Sequence, residues 1–232
     1  MPPADTLALI VNFDAAVYVG DLPILAFARQ CAEQLPEQAA GQLIDGIRFF
    51  LEGRTIGGRA AELSDRLADV PDGLGAVAVL ADGFGLTAAD IAAAHRRSRE
   101  DVVASAFALE PPAGLIRLLA KFPEVSLTVR ADYDVAGVLE VLEVLGLAPH
   151  VDQIVRVDEE TGIDRPGSEI PAESRPVRVL AVSNRWFGDL ENAAARGATT
   201  VLVDRFGRNA GSPTYRISDL SDLAPAVRRW IG

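Results

Sequence analysis

The chain has 232 residues, of which 49% are hydrophobic, and it carries a formal net charge of −11 at pH 7 with a sequence pI near 4.7. Such an acidic balance disfavours nucleic acids and anionic membranes as partners, because both are negatively charged. The single cysteine, Cys31, excludes an intrachain disulfide and a cysteine metal cluster.

Hydropathy gives no sign of a membrane segment or a secretion signal. No apolar run approaches the roughly 18 residues that a membrane helix needs. The opening MPPADT lacks the basic start of a signal peptide, and the LALIV that follows is too short for its apolar region. The sequence therefore predicts a cytoplasmic protein with no membrane contact.

The predicted elements begin with one strand, residues 7–12, LALIVN, whose apolar run is typical of a buried parallel strand. A long helical region follows, in which apolar residues recur every three or four positions. Thr87 and Asp90 have the spacing of a helix N-cap with an acid three residues later. The predicted helical segments here are residues 22–35, 39–53, 59–70, 75–85 and 87–107.

From residue 112 onward, short apolar strands alternate with helices. Predicted helices cover 113–122, 134–146, 187–197 and 222–231, and predicted strands cover 124–131, 151–157, 177–184 and 199–205. This alternation predicts parallel βαβ units with right-handed crossovers. We expect an α/β fold, a Rossmann-like doubly wound parallel sheet formed by residues 1–18 and 109–232, with a helical cap, residues 19–108, inserted after the first strand.

Polar residues follow the predicted strands where a parallel sheet binds ligands, at its carboxyl edge. Asn12 and Asp14 end the first strand, and Arg130 ends the second, or Thr128 if the strand ends two residues earlier. Asn184 and Arg185 follow the strand at 177–184.

This layout resembles the haloacid dehalogenase-like (HAD) hydrolase superfamily, in its form with a helical cap, over nearly the whole chain. Active members end the first strand with Asp-x-Asp-Gly-Thr, where the first Asp attacks phosphorus and the second is the general acid and base. This chain reads Asn12-Phe13-Asp14-Ala15-Ala16. The resemblance thus implies that the nucleophile is replaced by Asn12 and that the second acid, Asp14, is kept.

The other family motifs also differ at their catalytic positions. The Thr or Ser that ends the second strand becomes Arg130, or Thr128 in the alternative register. The motif-three lysine becomes Arg165, which precedes Pro166. In the fourth motif Gly-Asp becomes Ser183-Asn184, and a later acid survives as Asp189.

The resemblance also bears on metal binding, because the family supplies two direct acidic ligands to Mg²⁺. Both positions are amides here, Asn12 and Asn184, whereas Asp14 would offer only its backbone carbonyl and Asp189 is the outer acid. Losing two negative charges beside a divalent ion costs on the order of several kcal/mol. We therefore expect no cofactor and no metal, with these four residues as a vestigial metal site.

The same replacements change the charge of the site. Arg130, Arg165 and Arg185 would make a metal-free pocket cationic, suited to a small molecule bearing phosphate or carboxylate. Alternatively, Arg130 and Arg165 neutralise Asp14 and Asp189 within a closed, self-satisfied site.

Two functional hypotheses follow. The first is a catalytically impaired HAD-like protein, a pseudoenzyme that acts by binding a small anion or, through the cap, a protein. The second is an active hydrolase, phosphatase-like or dehalogenase-like, that uses Asp14 as nucleophile in a register shifted by two residues, and it needs a first strand that ends two residues later. Mg²⁺ is expected only in this second case. His95 is predicted to lie on a solvated helix face.

Overall fold

The computed structural model describes residues 6–54, 62–68, 70–105, 108–132, 135, 137–157 and 177–232. The chain divides into two compact units. We call the first the sheet unit; it comprises Met1–Val19, Glu110–Arg205 and Asn209–Gly232. The second, the helical unit, comprises Gly20–Leu109 together with Phe206–Arg208.

The sheet unit contains a six-stranded sheet of order β3-β2-β1-β4-β5-β6 in which every neighbouring pair is parallel. The predicted Rossmann-like α/β fold is confirmed. Five strands match predicted ones within a few residues, whereas β6, only three residues long, was not predicted. The strands are β1 Thr6–Asn12, β2 Val125–Asp132, β3 Val151–Val157, β4 Val177–Ser183, β5 Thr199–Val203 and β6 Tyr215–Ile217.

Strand β1 lies at the centre of the sheet, and the chain builds outward from it in both directions. Strands β2 and β3 extend one side, and β4, β5 and β6 extend the other. Leu7 to Val11 are all buried, as expected for a parallel strand covered on both faces. The point where the strand order reverses therefore lies between β1 and β4, and this is where open α/β sheets bind ligands.

Helices in the described residues lie where the sequence predicts them, with one additional turn, α1, directly after β1. In chain order they are α1 Phe13–Ala16, α2 Leu22–Ala32, α3 Glu37–Leu51, α4 Ser64–Ala68, α5 Gly73–Gly83, α6 Ala88–Ala104, α7 Leu115–Lys121, α8 Val138–Val144, α9 Glu191–Ala195 and α10 Leu223–Ile231. Most are shorter than predicted, whereas α3 and α5 begin and end two residues earlier.

The helical unit has its own apolar core, formed by side chains from α2, α3, α5 and α6. Residues from the segment after β5 belong to this unit as well. The Phe206 ring centroid lies 4.9 Å from that of Phe50, and the Arg208 guanidinium lies 4.4 Å above the Phe50 ring. The Thr87–Asp90 capping box at the start of α6 is present, as predicted.

The prediction for His95 was wrong. Its side chain is buried, and its ring meets Phe27 edge-on with centroids 5.0 Å apart. Ser98 and Val102 are buried on the same helix. The buried face of α6 thus includes polar residues. Because alanines are frequent in this helix, the sequence shows little difference in hydrophobicity between its buried and exposed faces, and His95 was assigned to the wrong one.

In the part of the chain that the structure describes, no helix is long and apolar enough to cross a bilayer.

Candidate functional site

Three neighbouring strands of the sheet unit end beside one another at its carboxyl edge. Asn12 ends β1 and pairs in register with Arg130 of β2, and Val11 pairs with Val182 of β4, one residue before Ser183. We call the surrounding group of polar residues the carboxyl-edge site; it consists of Asn12, Asp14, Arg130, Ser183, Asn184, Arg185 and Asp189.

Asn12 is the N-cap of α1. The residue is 3% exposed, and its Oδ1 accepts a hydrogen bond of 3.2 Å from the Ala15 backbone N–H. An N-cap oxygen satisfies a helix donor that would otherwise lack a partner. This amide oxygen therefore has a structural role in starting α1.

Asp14 lies in the first turn of α1, because β1 ends at Asn12. The shifted register, in which the first strand ends two residues later, was therefore wrong, and any role of Asp14 must be performed from this helical turn. The half-buried Asp14 carboxylate accepts a hydrogen bond of 2.9 Å from the Tyr18 hydroxyl through Oδ1. The Tyr18 ring is buried and packs edge-on against Phe13, with centroids 5.5 Å apart. Tyr18 thus orients Asp14. Their separation of four residues was the sequence signal for this pair, although α1 ends at Ala16, before Tyr18.

Arg130, rather than Thr128, is the β2 residue beside Asn12. Thr128 pairs with Ile10, two residues further inside the sheet. The prediction that either residue ends the second strand was wrong, because β2 continues to Asp132, which pairs with Val157 of β3. The Arg130 side chain is 11% exposed, and its Nη2 lies 4.0 Å from Asp189 Oδ1. Among the described residues, nothing accepts a hydrogen bond from the buried Arg130 Nε.

Asp189 is held from two sides through one carboxylate oxygen. Its Oδ2 accepts hydrogen bonds from the Ser183 hydroxyl at 2.8 Å and from Arg185 Nε at 3.3 Å. The Ser183 Oγ in turn accepts from the Arg185 backbone N–H at 3.2 Å. Ser183 was not predicted as a site residue, although a hydroxyl on the last residue of a buried strand is a signal for one.

Asp189 lies in the turn Trp186–Leu190, and the path of this turn places its carboxylate beside Ser183. Its helical path is broken at Phe187 and at Gly188, where φ is +82°, a value that favours glycine. The Asn192 side-chain amide donates to the Gly188 carbonyl at 2.7 Å. The turn leaves Phe187 67% exposed while Asp189 is buried.

The structure therefore brings together Arg130, Arg185 and Asp189 at the end of β1. It places Asp14 on the adjoining turn and Asn184 directly after β4. Arg165 lies outside the described residues. No group of three or more His, Cys, Asp or Glu side chains suited to a metal ion occurs within the described ranges.

No protein-family model matches the sequence, and no curated protein matches it. Solved structures match over almost the whole chain. The HAD-hydrolase YfnB from Bacillus subtilis bound to magnesium is 18% identical with a TM-score of 0.57, and the match covers 97% of this chain and 99% of that one. A haloacid dehalogenase-like protein of unknown function from Agrobacterium tumefaciens, ATU0790, is 14% identical with a TM-score of 0.57, covering 99% and 100%.

An L-2-haloacid dehalogenase from Xanthobacter autotrophicus is 16% identical with a TM-score of 0.51, covering 97% of this chain and 99% of that one. Identities this low establish a shared fold and nothing finer, since one fold supports many functions.

Proposed function

We propose that this chain, whose fold is that of the haloacid dehalogenase-like hydrolases, binds a small phosphate- or carboxylate-bearing anion at the carboxyl-edge site without hydrolysing it. The helical unit would be the inserted cap of that fold. The observation that carries the proposal is the buried Arg130 guanidinium, whose Nε finds no acceptor within the described part of the chain. A buried donor without a partner costs about 1–3 kcal/mol, and more when it is charged. A bound anion removes that cost.

The surroundings of Asn12 support a binding role over phosphoryl transfer. A neutral amide oxygen is a far weaker nucleophile than the carboxylates that form covalent intermediates. Here that oxygen also accepts the Ala15 N–H. Attack through Asn12 would therefore require breaking the cap of α1.

The charges around Asp189 support a role without metal. Two guanidinium groups lie within 4.0 Å of its carboxylate, those of Arg130 and Arg185. A divalent cation beside Asp189 would be repelled by both, and Mg²⁺ prefers a set of hard oxygen ligands.

Thermal unfolding in EDTA with added inorganic phosphate or acetate tests the proposal. A ligand at about one hundred times its Kd stabilises the native state by roughly 2.7 kcal/mol, about 5–10 °C in Tm for a chain of this size. We expect such a shift in the wild type and none in Arg130→Gln. Arg196→Gln is the matched control, because Arg196 is exposed at the end of α9. Shifts that are absent from the wild type, or equal in wild type and Arg130→Gln, contradict the proposal.

A second candidate is a hydrolase that uses Asp14, and the observation that favours it is the hydrogen bond through which Tyr18 orients this carboxylate. The test is turnover of an aryl phosphate, acetyl phosphate and 2-chloropropionate, each with and without Mg²⁺. The last is chosen because the Xanthobacter dehalogenase has been seen with chloropropionic acid covalently bound. Activity that disappears in Asp14→Asn and persists in Asp45→Asn would establish this candidate over the first.

A further inference from the structure

The Arg130 guanidinium and the Asp189 carboxylate are neighbours in the carboxyl-edge site, with Nη2 4.0 Å from Oδ1, so that one oxyanion beside them can contact both. We infer that the site selects hydrogen phosphate over sulfate, carboxylates and the fully ionised form of phosphate monoesters. The inference rests on the proposed function and adds Asp189 as the residue that determines specificity. The selected feature is the proton that hydrogen phosphate retains at neutral pH.

The donor half of the site is one edge of the Arg130 guanidinium. Nε and Nη2 lie side by side on that edge and form a fork that matches two oxygens of an oxyanion. Nε lacks an acceptor among the described residues. Nη2 lies 4.0 Å from Asp189 Oδ1, which is an ion-pair contact beyond hydrogen-bond length. The guanidinium is charged and mostly buried, and it makes no hydrogen bond to the Asp189 carboxylate.

The acceptor half of the site is Asp189 Oδ1. The hydrogen bonds from Ser183 and Arg185 both end on the other oxygen, Oδ2. They fix the orientation of the carboxylate and hold Oδ1 towards Arg130. An ionised carboxylate only accepts hydrogen bonds. Any anion bound to the Arg130 fork therefore contacts Asp189 Oδ1. This oxygen accepts a hydrogen bond from an O–H group of the anion and repels an anion oxygen that has no hydrogen.

This arrangement separates anions by whether they carry a hydrogen. Hydrogen phosphate offers two oxygens to the fork and donates its remaining O–H to Asp189 Oδ1. Sulfate has the same charge and nearly the same size, but it has no hydrogen to donate. A phosphate monoester loses its last proton with a pKa near 6 and resembles sulfate above that pH. One hydrogen bond to a charged group corresponds to roughly a tenfold or greater difference in affinity.

The experiment is calorimetric titration of the full chain at pH 7.5 and constant ionic strength in EDTA, with inorganic phosphate, sulfate and phenyl phosphate as probes. We expect phosphate to bind at least about tenfold more tightly than the other two. In Asp189→Asn the preference for phosphate over sulfate should fall to within about twofold, because an amide donates as well as accepts. Asp45→Asn, on the exposed face of α3, is the matched control and should keep the preference.

A second comparison needs no variant and stays informative if Asp189→Asn fails to fold. Arsenate retains a proton at this pH as phosphate does, whereas selenate lacks one as sulfate does. We expect arsenate to bind more tightly than selenate by a similar factor.

The two proposals fail in different ways. Equal affinities for phosphate and sulfate that both vanish in Arg130→Gln would overturn the inference and leave anion binding intact. Binding of no probe by the wild type would overturn anion binding, and the inference with it. A preference for phosphate that survives unchanged in Asp189→Asn would assign the selectivity to another residue and also overturn the inference.

Discussion

Two buried aspartates follow neighbouring strands of the sheet unit, and they are satisfied very differently. Asp204, after β5, is 4% exposed. Its Oδ1 accepts from the backbone N–H and the side-chain amide of Asn209, both at 3.2 Å, and its Oδ2 accepts from Arg216 at 2.5 Å. Asp189, after β4, accepts hydrogen bonds from Ser183 and Arg185 on Oδ2 alone among the described residues, and its Oδ1 lies 4.0 Å from Arg130 Nη2.

The arginines of the two clusters differ in the same way. Arg216 donates to the Asn209 carbonyl at 2.9 Å and to the Gly211 carbonyl at 3.1 Å, in addition to Asp204. Arg130 has a buried Nε with no acceptor in the described ranges. A buried charged cluster that serves stability satisfies its donors locally. The Asp204 cluster thus holds the chain after β5 in place, and its difference from the Asp189 cluster supports the proposed anion binding at the carboxyl-edge site.

The largest expected effect is on stability, in Asp204→Ala. This variant leaves Arg216 without its buried carboxylate and removes Asp204 Oδ1, the single oxygen that accepts from both Asn209 donors. Deleting one partner of a fully buried pair costs about 3–5 kcal/mol; because the Arg216 side chain is 39% exposed, we expect a smaller loss of about 2–3 kcal/mol. Urea unfolding followed by circular dichroism measures the loss, and a cost below about 1 kcal/mol, the value for a surface ion pair, would remove the contrast between the two clusters.

Arg130→Met is expected to change stability much less, by within about 1 kcal/mol, because it also removes a buried donor that lacks a partner. Asp189 keeps its hydrogen bonds from Ser183 and Arg185. The same urea experiment measures this variant, with the phosphate-dependent Tm shift as the second readout. A loss as large as that of Asp204→Ala would show that Arg130 is a structural ion-pair partner like Arg216.

Two variants of Asn12 separate the stability that its cap hydrogen bond contributes from the effect of adding a charge at this position. Asn12→Ala removes the cap of α1 and should cost about 1 kcal/mol, whereas Asn12→Asp keeps an equally good cap oxygen. Thermal unfolding of the two variants at pH 7 makes the comparison. If both lose the same stability, the cap hydrogen bond to Ala15 is not what Asn12 contributes.

The smallest expected effect is a shift in the pKa of an exposed aspartate, Asp90. Hydrogen bonds from the Thr87 hydroxyl and then from its backbone N–H lower the pKa of Asp90 below its ordinary value of 3.8. A lowered folded-state pKa stabilises the protein above the unfolded pKa, and that contribution is lost as the pH falls through the folded value. We expect NMR titration to give a midpoint below 3.8 in the wild type and a higher one in Thr87→Val. Equal midpoints would rule out the Thr87 hydroxyl as the cause.

Much of the sheet was predictable, because its strands are apolar runs with helices between them. The position of Asn12 and Arg130 at one edge followed from that pattern, since parallel strands end together. Strand β6 was not predictable from periodicity, because Tyr215–Ile217 is too short to show any.

The parts of the site that the sequence did not predict depend on side-chain direction. The pairing of Asp189 with Ser183 depends on a turn broken at Gly188, which reads in the sequence as the start of a helix. The charges at this edge could be predicted from the residue types. The side-chain geometry was needed to show that Arg185 lies 3.3 Å from Asp189, within hydrogen-bond length, whereas Arg130 lies 4.0 Å away.

The helical unit includes residues from two distant parts of the chain, since Phe206–Arg208 contribute to it nearly one hundred residues after Leu109. During synthesis on the ribosome, the nascent helices emerge long before the aromatic ring that packs against Phe50. Contacts between residues so far apart in sequence form slowly and leave apolar surface transiently exposed. The apolar core of the helical unit therefore lacks its last contacts until most of the remaining polypeptide has been synthesised. In that interval its exposed apolar surface would be accessible to chaperones.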